Sequence, residues 1–171
     1  MKSTFLALLV ASTVHVGINA QQPAAGRPED APAAPAAPGS AGIYKTHEEL
    51  DDTLKKAIAA MTGDTGSARI ANTTEYRVAV VHRDKPGAAI AHRGWTELHY
   101  VLDGSGTIVT GGTIVRGAGG AGSGSSINGG ETHRMQKGDV VIVPAGSSHW
   151  YKDVRGGITY LEVRFIAPPA K

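Results

Sequence analysis

In residues 91–112 of this 171-residue chain, Glu97, His99 and Val101 alternate with Leu98, Tyr100 and Leu102. Strand side chains point to opposite faces in turn, so the Glu97 carboxylate and the His99 imidazole project from one face. Two residue types that ligate divalent metals therefore look into one interior. In residues 138–153 the run Val140, Val141, Ile142, Val143 leads into Pro144 and Gly146, with His149 three residues beyond the glycine. That order predicts a strand, a rigid turn and an imidazole held in a fixed place.

The elements that must position these groups are short strands. Patterns rich in β-branched and aromatic residues fall at 76–82, 88–92, 96–102, 107–110, 140–143 and 159–166. Turn signals at Lys85-Pro86-Gly87, Gly104-Ser105-Gly106, Gly111-Gly112 and Gly156-Gly157 separate them. Many short strands without intervening helices predict an antiparallel sandwich or closed barrel. One amphipathic helix precedes them: Thr46 followed by Glu49 is a capping-box signature, and Leu50, Leu54, Ala57, Ile58 and Met61 recur at helical spacing up to Gly63. It is expected on the outside of the barrel, with His47 solvated. In the final strand Leu161, Val163 and Phe165 are expected to fill the core, leaving Glu162 and Arg164 outside or at a subunit contact.

These two stretches resemble the paired motifs of the cupin family. The first motif is usually His-x-His, three or four residues, Glu, six residues, Gly; here Glu97 and Gly104 keep the spacing and His92 stands at the second histidine. Ile90 occupies the position of the first. The second motif is matched by Gly138, Pro144, Gly146 and His149, with Asp153 where asparagine is usual. The resemblance implies an all-β fold, the cupin double-stranded β-helix or jelly-roll barrel, with the one N-terminal helix added. It also implies that His92, Glu97 and His149 converge on one cavity as a two-histidine, one-carboxylate set, which suits Fe, Mn, Ni, Cu or Zn. His99 is the fourth candidate ligand and stands to compensate for the histidine missing at Ile90. His82, running toward a turn, and His133, read as a loop residue, are weaker candidates.

Residues 1–20 read as a secretory signal, with Lys2 as the charge, an apolar run over 5–16 and Ala20 before the cut. The mature chain is then expected to be secreted or periplasmic, with no stable membrane insertion after cleavage. Residues 21–42, rich in Ala, Pro and Gly, read as a disordered linker, and 43–171 as the cupin domain. With no cysteine there is no disulfide and no thiolate site, so the core must suffice alone. Without Lys2 the chain carries 16 Lys and Arg against 15 Asp and Glu, a balance that argues against nucleic acid as a partner. The glycines at 117, 119 and 122 keep a dinucleotide-like spacing, but no helix follows to hold a pyrophosphate. That stretch reads as a loop between the motif halves.

Trp95 and the Trp150-Tyr151 pair border the two motif halves, either as a stacking wall for a ring or sugar substrate or as packing between sheets. The partner expected is a small-molecule ligand or substrate, and the chain leaves room for a homodimer. Two functions follow from the resemblance. One is a small metal-dependent enzyme of oxidoreductase or isomerase type; the other is a non-catalytic small-molecule or sugar-binding module.

Overall fold

A computed structural model of the protein describes residues 39–117 and 124–167. The expected signal and most of the expected linker lie outside the described residues, as do 118–123 of the glycine-rich loop. Among the described residues no helix is long and apolar enough to cross a membrane.

Helix α1 spans His47–Ala59. The Thr46 hydroxyl accepts from the Glu49 backbone N–H at 3.2 Å, and the Glu49 carboxylate accepts from the Thr46 N–H at 2.9 Å. This reciprocal pair satisfies two of the donors that a helix start leaves open. The helix buries Thr53 and Ala57, leaves Ile58 exposed, and packs outside the first two strands. His47 is solvated, as its position in the first turn predicts.

Among the described residues nine strands follow: β1 Thr65–Asn72, β2 Tyr76–Arg83, β3 Ile90–Ala91, β4 Thr96–Thr110, β5 Thr113–Val115, β6 Ser126–Asn128, β7 Glu131–Gln136, β8 Val140–Val143 and β9 Ser148–Phe165. All pairings are antiparallel, as the sequence predicts. Strands β4 and β9 pair along nearly their whole lengths, from Thr96 opposite Phe165 to Thr110 opposite His149. The first half of β4 lies between β9 and β8, and its second half between β9 and β7. Both strands thus pass from one layer of the jelly roll to the other.

The passage explains one correction to the sequence reading. Gly104 and the Gly156-Gly157 pair do not separate strands; they bend two continuous ones. The register shifts between Gly104 and Gly106, where β9 skips from Ile158 to Val154. Gly104 has φ of 76°, and a Cβ there would lie 2.2 Å from the Gly157 carbonyl oxygen, so only glycine lets the two backbones cross the corner together. Beside the corner sits the core: Ala79, Val81, Val101, Ile108, Met135, Tyr151, Val154, Ile158 and Tyr160.

Candidate metal centre

Strand register brings the two motif stretches together. β4 pairs with β8 so that Glu97 faces Val143 and His99 faces Val141. Pro144 and Gly146 then turn the chain, and the Gly146 N–H donates to the His92 carbonyl oxygen at 2.9 Å. Beyond the turn, Ile90 on β3 stands directly opposite His149 on β9, which puts their side chains on one face. His92 follows β3 by one residue.

The Glu97 carboxylate lies at the centre, 1% exposed. One oxygen, Oε2, has His99 Nε2 at 3.2 Å and His149 Nε2 at 3.6 Å. The other, Oε1, has His92 Nε2 at 3.5 Å and Arg164 Nε at 3.8 Å, yet no hydrogen-bond partner. Three imidazoles thus present Nε2 to a single carboxylate. His92, Glu97 and His149 each offer one donor atom within 4.8 Å of the others, and Glu97, His99 and Glu162 form a second such group sharing the same carboxylate.

Charge states follow from burial and neighbours. Burial alone would push the Glu97 carboxyl up, but the His99 hydrogen bond and the facing His149, Arg164 and His92 outweigh it and hold Glu97 at about 2. Burial brings His149 down to about 4, against the pull of Glu97. It also lowers His92, aided by the Arg164 guanidinium. At neutral pH Glu97 is therefore ionised, with neutral His92 and His149 beside it. Arg164 Nη2 donates to His92 Nε2 at 3.3 Å, so that nitrogen carries a lone pair and the His92 proton sits on Nδ1.

His99 is held from both ends. An ionised carboxylate only accepts, so Nε2–H donates to Glu97, and Nδ1 accepts from the Tyr151 hydroxyl at 3.1 Å. Burial pushes the Tyr151 hydroxyl up, and the neighbouring Tyr160 adds to the effect, which keeps that donor protonated. The His99 ring lies tilted against Tyr160, centroids 4.6 Å apart, so the site rests directly on the core.

Two residues here escape the sequence reading. Glu162 and Arg164 are neither outside nor at a demonstrated contact: Glu162 stands opposite His99, and Arg164 opposite Glu97. Arg164 Nε lies 3.0 Å from Glu162 Oε1. The opposite face is no better buried, since Leu161, Val163 and Phe165 are all half-exposed. A carboxylate and a guanidinium two apart in an apolar strand was the available signal, because buried charges need partners. His82 lies elsewhere, bonded to Thr159 and Asp84. His133 is not a loop residue but part of the exposed strand β7, 3.4 Å from Glu131. Asp153 pairs with Arg155, away from the site. Trp150 donates to the Gly87 carbonyl oxygen at 2.7 Å, a packing role, whereas Trp95 lies under the Arg77 guanidinium at 5.0 Å.

Neither a family model nor a curated protein matches the sequence. Solved structures do. An ectoine synthase from P. lautus superposes at a TM-score of 0.50 with 20% identity, covering 74% of this chain and 80% of its own. The chain has the cupin fold. KdgF from a Halomonas species, at 14% identity and a TM-score of 0.48, covers 63% of this chain and 84% of its own. An RmlC-like cupin from Shewanella frigidimarina, at 17% identity and 0.45, covers 63% and 80%. Identities at this level carry no more than the fold, so the chemistry of this chain rests on its own residues.

Proposed function

We propose that this cupin is an exported metalloprotein that holds a divalent ion on His92, Glu97 and His149, with His99 as a fourth ligand. The observation that carries the reading is the buried Glu97 carboxylate on which three Nε2 atoms converge, His99 and His149 at Oε2 and His92 at Oε1, with Oε1 left without a hydrogen bond. A buried carboxylate oxygen left without a bond is costly, and a cation among the four side chains satisfies it. Imidazole and carboxylate donors suit Fe, Mn, Ni, Cu or Zn and exclude none of them. Export is supported by Lys2, the apolar run and Ala20.

A divalent ion bound here supplies a Lewis acid with open positions. The chain supplies the rest. Neutral His92 and His149 offer lone pairs without first losing a proton. Ligation by His99 requires its proton to move from Nε2 to Nδ1, where the Tyr151 oxygen accepts it. Arg164 and Glu162 line the approach to Glu97. The function we assign is that of a small metalloenzyme acting on a small organic substrate by oxygenase or isomerase chemistry.

The test is metal analysis of tag-free protein and of His92→Ala, Glu97→Gln and His149→Ala, each confirmed folded. Near-stoichiometric metal in the native protein and a steep loss in every variant is the expected result, because two remaining ligands hold an ion poorly against water. Unchanged metal content in all three variants sinks the site. N-terminal sequencing of exported protein should begin at or near Gln21, and an intact Met1 rejects the export reading.

A further inference from the structure

Beside the proposed metal centre lies a cavity of about 110 Å³, lined by Ser67, Arg69, Arg77, Val78, Ala79, Glu162 and Arg164. The strand register explains how it forms. Arg69 on β1 stands opposite Ala79 on β2, Ala79 opposite Glu162 on β9, and Glu162 opposite His99 on β4. In the adjacent row Arg77 stands opposite Arg164, and Arg164 opposite Glu97. Directly opposed residues share a face. The cavity and the His99–Glu97 pair are therefore neighbouring parts of one inner surface, with exposed Ser67 and Arg69 at the outer rim.

Its charge is lopsided. The guanidiniums of Arg77 and Arg164 face one carboxylate, Glu162, and that carboxylate is already taken by Arg164. The Nε of Arg77 is buried without a hydrogen-bond partner, and its guanidinium carbon lies over the Trp95 ring, 5.0 Å from the centroid. A guanidinium fixed in this way presents a planar set of donors, the geometry that pairs with a carboxylate through two parallel hydrogen bonds. The volume is also selective, since a cavity of about 150 Å³ takes benzene.

We infer that this cavity is the substrate's anion pocket, and that the molecule acted on is a small organic acid of a few carbons. Its carboxylate sits on Arg77 and Arg164 while its other end reaches toward Glu97 and His99. This deepens the metalloenzyme reading and rests on it for the second half only; the anion pocket stands on the arginines alone. The two sites also interact. Arg164 contacts His92 and Glu97 as well as Glu162, so a cation that takes His92 and Glu97 frees Arg164 from those two contacts on the side of the cavity. Acid and metal should then each strengthen the binding of the other, as reciprocal coupling requires.

Calorimetric titration with acetate, pyruvate, malonate and succinate, on metal-loaded and metal-free protein, tests the pocket. Malonamide serves as the neutral counterpart of malonate. At least one acid should bind native protein, more weakly as salt rises, and Arg77→Gln should reduce its affinity by about tenfold or more, with Arg77→Lys between. Malonamide should not compete. Failure of every acid to bind, equal binding by Arg77→Gln, or equal binding of malonamide overturns the proposal. Metal content of the same samples separates the two readings. Retained metal with no acid binding removes only the pocket, and acid binding to a protein that takes up no metal removes only the metal centre.

Discussion

The backbone N–H of Gly146 is bonded to the carbonyl oxygen of His92 at 2.9 Å, which ties the turn before His149 to the segment that carries the other distal imidazole. Gly146 has φ of 78°, and a Cβ at that position would touch nothing. Gly146→Ala therefore tests conformation without crowding. It should cost about 1–2 kcal/mol of stability, the strain of a left-handed residue, and loosen metal binding through a shift of His92 against His149. Urea unfolding and a metal titration read the two effects, and unchanged values in both contradict the role given to this turn.

Gly104 offers the contrast. Its φ is similar, 76°, but its Cβ would sit 2.2 Å from the Gly157 carbonyl oxygen. Left-handed strain and steric clash then add, and Gly104→Ala should cost about 3 kcal/mol or more. The order of the two substitutions is the prediction. A Gly104→Ala protein as stable as Gly146→Ala in the same urea series refutes the account of the strand corner.

Tyr151→Phe removes the hydrogen bond to His99 Nδ1 while keeping the stacked ring. If His99 is a ligand, the loss of that orienting bond should weaken metal binding about 10- to 100-fold. His99→Ala should weaken it further. Should Tyr151→Phe bind metal like the native protein, His99 stands outside the ligand set.

Acid should destabilise the metal-free protein in a defined window. The unfolded chain protonates His149 near its ordinary 6.5, the fold only at about 4, so between these values the unfolded state holds the extra proton. Stability present above pH 6.5 is thus lost as pH falls toward 4, by on the order of 3 kcal/mol from this residue. Glu97 extends the loss lower, since its folded value of about 2 lies below the ordinary 4.5. His149→Asn should flatten the upper part of the curve. A native urea midpoint constant from pH 7 to pH 4 excludes these ionisation states.

The sequence made α1 legible because capping is local: Thr46 and Glu49 bond to each other within one turn. Strand β8 was equally plain, since Val140–Val143 is a run of β-branched residues ended by Pro144. Strand β7 was not, because Glu131–Gln136 is a polar edge whose one buried residue is Met135. Strand β1 was hidden in the same way, with small and polar residues along Thr65–Asn72. Within the site, Glu97 and His99 followed from strand alternation, whereas Glu162 and Arg164 depend on which strand lies beside β4. No local pattern carries that information, because register is set by pairing across long separations.

The bent strands bear on how the molecule opens. Glu97 and His99 sit on the first half of β4, and His149 at the start of β9, yet each strand also supplies core residues beyond the corner, among them Ile108 and Ile158. Neither layer can detach without dragging a ligand-bearing strand with it, so the two layers should exchange their amide hydrogens as one cooperative unit rather than as separate foldons. A bound ion should then slow exchange at the corner as well, in Val154 and Ile158 as much as in His99, by the full binding free energy.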